Sequence, residues 1–134
     1  MSTATILQEH HIRPSSQRLL VFDYLKSVKT HPSVDTIYQA LLPDNPGLSR
    51  TTVYNTLELL ASHNLILTLD LGEGFLRYDG DITPHSHFKC TKCGAVIDIM
   101  ESPDGCETML PKGCTLSGVS LYLFGRCAKC NAAL

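Results

Sequence analysis

Residues 49–63 read SRTTVYNTLELLASH, and the structure they form decides the fold of the first half of the chain. Ser49 is placed to cap a helix, and Val53, Leu57 and Leu60 recur at i, i+4 and i+7 as one apolar seam. Arg50, Thr51, Asn55 and Glu58 fall on the opposite side, with Tyr54 at its margin. After Asn64 the helical period stops. Two short extended runs, LILTLDL at 65–71 and FLRYD at 75–79, flank Gly72-Glu73-Gly74, which is the pattern of a β-hairpin.

Upstream, residues 33–42 (SVDTIYQALL) open on Ser33 as an N-cap and line up Val34, Ile37, Tyr38, Leu41 and Leu42. Residues 14–28 (PSSQRLLVFDYLKSV) begin with a proline suited to a first helical turn and carry Leu20, Val21, Tyr24, Leu25 and Val28 on one stripe. Three helices followed by a hairpin predict a winged helix-turn-helix. Its third helix presents short hydroxyl and amide side chains with Arg50 and Tyr54, groups that contact phosphates and base edges. A helical domain whose third helix merely packs would carry the same seam. Charge does not separate the two: residues 1–80 hold six Lys/Arg against eight Asp/Glu, and residues 81–134 five against five.

The 134 residues suit one domain or two small ones sharing a hinge. No apolar run approaches the roughly 20 residues of a membrane span, and the first residues lack a basic start followed by an apolar core, so a cytoplasmic protein is expected. In that reducing compartment six cysteines point to metal or redox chemistry. All six lie beyond residue 89, which divides the chain into a metal-free module, 1–80, and a metal-binding one, 81–134, joined near Asp79–Pro84. In the second module HFKC and AVIDI read as strands, a short helix fits 102–110, and LSGVSLYLFGRC reads as one long strand, apolar on both faces. A module of that size cannot bury so much apolar surface, which predicts dimerisation through the sheet.

Cys90-x-x-Cys93 and Cys127-x-x-Cys130 are two CxxC turns separated by 33 residues. Each offers two thiolates on one side, and together they make the tetrahedral sulfur set of a structural zinc site. A pair of dithiol redox motifs is the weaker alternative, and Cys106 and Cys114 have no partner motif. His85 and His87 alternate at a strand start and point to one side. With Asp79, Asp98 and His31 they form a candidate nitrogen/oxygen site for Fe²⁺, Mn²⁺ or Zn²⁺, distinct from the sulfur site.

The chain resembles the ferric uptake regulator family along nearly its whole length. The match rests on RLLVFDYL at 18–25, HPSVDTIYQAL at 31–41, SRTTVYNTLELL at 49–60, RYD at 77–79, HSHFKCTKCGAVIDI at 85–99 and LYLFGRCAKC at 121–130. The resemblance implies an α+β protein: an N-terminal winged helix-turn-helix that binds DNA, then a small α/β dimerisation domain with a four-cysteine zinc site. It implies a homodimeric, metal-dependent transcriptional repressor on a palindromic operator, not an enzyme. His31, Asp79, His85, His87 and Asp98 match the family's regulatory site between the domains. The DNA contacts expected on this basis are Arg13, Arg18, Arg50, Thr51, Thr52, Tyr54, Asn55 and Arg77.

Aspartate at both 79 and 98 resembles the peroxide-sensing (PerR) branch, in which bound Fe²⁺ reacts with hydrogen peroxide and a histidine ligand is oxidised. Iron- and zinc-homeostasis repressors share the architecture and are the alternative. Ser86 and Arg126 stand where some iron sensors have ligands of a further site, and neither can serve. The chain departs from the family in a brief N-terminal arm and an acidic DNA-binding half. A cytosolic metalloenzyme could use three histidines and two aspartates with an open position, but it needs a general base and a substrate wall for which no residues stand out.

Overall fold

In the computed structural model, which describes residues 1–101 and 103–133, the chain divides into two compact units, Met1–Ile82 and Thr83–Leu134. The first contains four α-helices: α1 (Thr3–Glu9), α2 (Ser16–Ser27), α3 (Val34–Leu41) and α4 (Arg50–Ser62). Each starts the same way. Ser2, Ser15, Ser33 and Ser49 hold extended backbone angles, and their hydroxyls accept from the backbone N–H three residues on. A cap of this kind satisfies a donor that the helix itself leaves open and is worth about 1 kcal/mol.

Two expectations change here. Pro14 lies outside the second helix, and Ser15 takes the capping role. The expected N-terminal arm is instead the helix α1, whose Leu7 is completely buried. The segment TATILQE gives little local sign of this, because its threonines are weak helix formers and its apolar pair gains a core only from other helices.

Val53, Leu57 and Leu60 of α4 are all fully buried, as their seam requires, and pack with Val21, Phe22 and Leu25 of α2 and Ile37 of α3. The hairpin follows: β1 (Leu67–Asp70) pairs antiparallel with β2 (Leu76–Asp79), in a register that sets Leu67 opposite Asp79 and Asp70 opposite Leu76. β2 is also sewn to the start of α3. Tyr78 N–H donates to the Pro32 carbonyl at 3.0 Å, and Ser33 bridges to Arg77.

The second unit is a three-stranded sheet in the order β4-β3-β5, made of β3 (Ser86–Cys90), β4 (Val96–Ile99) and β5 (Tyr122–Gly125), followed by the short helix α5 (Ala128–Ala132). β3 pairs antiparallel with β4, setting His87 opposite Asp98, and parallel with β5, setting His87 opposite Tyr122. The long strand expected over residues 116–127 shrinks to four residues. β3 has only five residues against which to pair, so the apolar stretch before Tyr122 finds no ladder among the described residues. Cys106–Met109 form a single 3-10 turn where a short helix was expected.

Gly80 follows β2 where the chain passes the C-terminal end of α2. A Cβ there would lie 2.9 Å from the Leu25 carbonyl oxygen and 3.1 Å from its carbon, both backbone atoms. Gly80→Ala must therefore displace α2, at a cost of about 1–3 kcal/mol. We expect a lower urea midpoint when helical ellipticity is followed, and an unchanged midpoint would contradict this packing.

Candidate functional site

The four sulfurs are assembled by two turns of different origin. Cys90 ends β3, and the chain reverses at once through Gly94, whose φ of 79° is left-handed, so that Gly94 N–H reaches the Cys90 carbonyl at 2.9 Å. Cys127 precedes α5 and Cys130 lies within it. Thr91 N–H donates to the Gly125 carbonyl at 2.7 Å, which fastens the first turn to the end of β5. The result places all four Sγ atoms within 4.8 Å of one another, with Cys90–Cys130 and Cys93–Cys127 each at 3.7 Å. These are no disulfides, since all the thiols are free. A tetrahedral zinc with bonds of about 2.3 Å separates its sulfurs by about 3.8 Å, so the set has the span that the ion requires.

The backbone prepares these sulfurs for a cation. The N–H groups of Cys93 and Cys127 donate to Cys90 Sγ at 3.4 and 3.3 Å, and hold its thiol down at about 5. Cys127 is lowered too, chiefly by the backbone N–H of Cys130. Cys130 goes the other way, pushed up to about 12 by its hydrogen bond with Cys127 and by burial. Four adjacent thiolates repel, and shifts in opposite directions are what such crowding produces. A dication removes that conflict and favours all four anions.

The nitrogen and oxygen donors occur as a pair in the first unit and a triad in the second. His31 and Asp79 are both buried, with Nε2 3.3 Å from Oδ2. Asp79 is aimed by its own turn, its Oδ1 accepting from Asp81 N–H at 2.9 Å. His31 has φ of 54°, a left-handed conformation that costs an L-residue about 1–2 kcal/mol and persists where neighbours enforce it.

In the second unit the rings of His85 and His87 lie 4.5 Å apart, centroid to centroid. Nδ1–H of His85 donates to the Thr83 carbonyl at 2.6 Å, which leaves Nε2 facing Asp98 Oδ1 at 3.5 Å. His87 Nε2 lies 3.4 Å from the same oxygen. These gaps exceed the roughly 2.7–2.9 Å of a charge-assisted hydrogen bond. Two nitrogens converging on one carboxylate oxygen at this spacing suit ligands arranged around a cation, with one imidazole orientation already fixed from behind by a carbonyl.

The expected DNA contacts divide into groups. Arg13, Ser15, Arg18, Thr52 and Asn55 line a polar groove of about 670 Å³ between the start of α2 and α4. Arg18 donates to the Arg13 carbonyl at 2.9 Å, which places the two side by side. Thr51 and Asn55 are exposed, and Tyr54 stands out from α4 with its phenol raised by the carboxylate of Glu58. Arg50 lies over the Tyr38 ring and makes an exposed ion pair with Asp35 at 2.6 Å, worth little in water. Arg77 differs from the rest. Its Nε and Nη2 take both oxygens of Glu73, at 2.7 and 3.0 Å, and its Nη1 donates to the His31 carbonyl at 3.3 Å. Glu73 had no assigned role in the sequence, where it reads only as a hairpin-turn residue.

Comparison with known proteins gives the family and the fold. Residues 9–123 match the model of the ferric uptake regulator family. A peroxide-responsive repressor, PerR, of Staphylococcus aureus strain Mu50 is 38% identical over 92 residues, 69% of this chain and 62% of that protein. The matched stretch thus spans under two thirds of the relative's length. The structure of the Campylobacter jejuni peroxide stress regulator aligns with a TM-score of 0.70 at 28% identity, covering 97% of this chain and 100% of that one. The Helicobacter pylori ferric uptake regulator aligns with a TM-score of 0.77 over 95% of this chain and 87% of that one, and its 23% identity speaks to fold alone. The chain belongs to the ferric uptake regulator family.

For the sulfur set we expect Cys127→Ser to lose the zinc that the unmutated chain retains at one ion per monomer, measured by elemental analysis after gel filtration. Retention of zinc by this variant would exclude the four-cysteine assignment.

Proposed function

We propose that the chain is a metal-dependent, DNA-binding transcriptional repressor that responds to peroxide. Its regulatory metal is held by His31 and Asp79 together with His85, His87 and Asp98, and zinc is held by Cys90, Cys93, Cys127 and Cys130. The observation that carries the reading is the chemistry of the two half-sites. They offer only imidazole nitrogen and aspartate oxygen, a set suited to Fe²⁺ or Mn²⁺, while sulfur is confined to the other cluster. Similarity to peroxide-responsive repressors supports the choice of signal.

Iron(II), when bound, supplies the reducing electrons for hydrogen peroxide beside the imidazoles that hold it. The protein's own part is to hold and orient. Thr83 fixes the His85 ring, Asp98 gathers His85 and His87, and Asp81 N–H fixes the carboxylate of Asp79. Because the ligands come from both units, a filled site restrains the hinge and sets the spacing of two winged helices in a dimer. Oxidation of a ligand histidine releases that restraint, and with it the operator.

Dimerisation is assigned to the second unit. Ile97, Leu123 and Phe124 of its sheet are 47%, 46% and 54% exposed, too much apolar surface for a lone sheet to leave in water. DNA contact is assigned to the groove around Arg13 and Arg18 and to Thr51, Thr52, Tyr54 and Asn55 on α4, with Arg50 beside them. No helix among the described residues is long and apolar enough to cross a membrane.

Two experiments test the reading. His31→Ala should keep one zinc per chain but lose Mn²⁺-stimulated DNA binding by more than about tenfold, measured by fluorescence anisotropy on duplexes selected from a random pool. Metal-independent binding equal to the unmutated chain would overturn the regulatory site. Mass spectrometry after a brief hydrogen peroxide pulse should find one added oxygen on His31 or His85 of the Fe²⁺-loaded protein, and none on the Mn²⁺-loaded one. Unmodified histidines with intact iron-stimulated DNA binding would make it an iron-responsive repressor instead.

A further inference from the structure

The hairpin that follows α4 has a charge content unlike that of a DNA-binding wing. Residues 67–79 carry Asp70, Glu73 and Asp79 against a single cation, Arg77. That cation is committed on three sides. Both oxygens of Glu73 take its Nε and Nη2, its third nitrogen meets the His31 carbonyl, and its guanidinium carbon stands 5.6 Å from the centre of the Phe75 ring. Arg77 and Glu73 are only 20% and 10% exposed, so the pair is shielded from the screening that weakens surface ion pairs. To meet a phosphate, Arg77 would have to abandon a two-pronged carboxylate and strip a largely buried Glu73 of its guanidinium.

The arrangement has a different consequence. His31 sits in a left-handed backbone conformation, and something must hold it there. Its carbonyl is held by Arg77, the next carbonyl is held by Tyr78 N–H, and Ser33 bridges to Arg77 in the same ladder. The guanidinium thus spans from the hairpin turn, through Glu73, to the peptide of a proposed metal ligand. A planar group with fixed donors can do this where a flexible ammonium cannot.

The geometry points to Arg77 as a positioning residue: with Glu73 it braces the His31 peptide against the hairpin turn, and so sets the aim of one ligand of the regulatory metal. This rests on the assignment of His31 to that site. Without the brace the His31 peptide relaxes towards an ordinary extended conformation and its imidazole leaves the position shared with Asp79. Arg77 then acts on metal affinity and makes no contribution to DNA affinity once metal is saturating, which is the reverse of the phosphate contact expected from sequence.

The test compares Arg77→Ala, Arg77→Lys and Glu73→Gln in the zinc-loaded full chain. Mn²⁺ affinity is read by competition with a chelator. DNA affinity is read at saturating Mn²⁺ over a range of salt, on duplexes selected from a random pool with the unmutated protein. Loss of a supporting hydrogen bond to a ligand lowers metal affinity by about 10–100-fold, so Arg77→Ala should fall in that range. Arg77→Lys should recover only part of it, because lysine reaches the carbonyl but cannot fork onto Glu73. Glu73→Gln should weaken Mn²⁺ in the same direction, and it keeps the question answerable if Arg77→Ala fails to fold. DNA affinity at saturating Mn²⁺ should stay within about twofold, with an unchanged salt slope.

Mn²⁺ affinity unchanged in all three variants overturns the proposal, whatever happens to thermal stability. So does a salt slope reduced by about one together with full recovery in Arg77→Lys, the signature of a phosphate contact. His31→Ala separates the two levels. If it leaves Mn²⁺ affinity of the otherwise unmutated chain intact, the regulatory-site assignment has failed. If it abolishes Mn²⁺ binding while the Arg77 variants do not alter it, only the brace has failed.

Discussion

The second unit is gathered around four sulfur atoms that lie within 4.8 Å of one another, a spacing that suits a shared cation. Among the described residues beyond Ile82, the buried apolar side chains are Cys90 and Cys127; every other member of the hydrophobic core belongs to the first unit. A three-stranded sheet of four- and five-residue strands has little else to hold it together. The backbone donors on Cys90 and Cys127 stabilise negative charge at two positions, while Cys130, bonded to Cys127 and buried, is pushed the other way. With a metal bound, the cluster would stand in for a core, because metal binding to a site absent from the unfolded chain adds to folding energy.

The first unit is stabilised in the usual way, by helices that bury one stripe each and are started by serine caps. Left-handed His11 and Asn64 follow the ends of α1 and α4, but several other departures from routine packing fall together. The left-handed His31, the buried Asp79, the near approach of Gly80 to α2 and the paired Arg77 and Glu73 all lie on or beside β2. Strain and buried charge are tolerated where neighbouring structure enforces them, and their concentration here separates a working edge from the packed helices.

Much of this could be read from sequence because it depends on short-range pattern. Ser33 and Ser49 begin helices for a reason visible within four residues, and the seam of α4 is a matter of period. The two CxxC turns could be paired because each is locally complete and each lacks half a coordination shell. What could not be read depends on distant partners. Ser15 caps α2 and leaves Pro14 outside the first turn it was expected to open, and α1 forms because Leu7 finds a core elsewhere in the unit. The strand expected over residues 116–127 stops at four residues because β3 offers no more ladder. Arg77 looks like a free cation in the sequence and is a bound one in three dimensions. The approach of His85 and His87 to Asp98 was legible; the Thr83 carbonyl that orients His85 was not, since no side chain marks it.

β3 carries His87 and Cys90 on a single run of five residues. On the assignments proposed above, the two metals are therefore loaded in a fixed order. Zinc in the sulfur cluster would anchor the end of β3 beyond the Thr91–Gly125 bond, and so steady the register that sets His87 against Asp98. On that reading a chain made under zinc starvation would respond poorly to its signal, with every proposed regulatory ligand chemically intact. Zinc supply thus becomes a precondition of sensing, although zinc is not the signal.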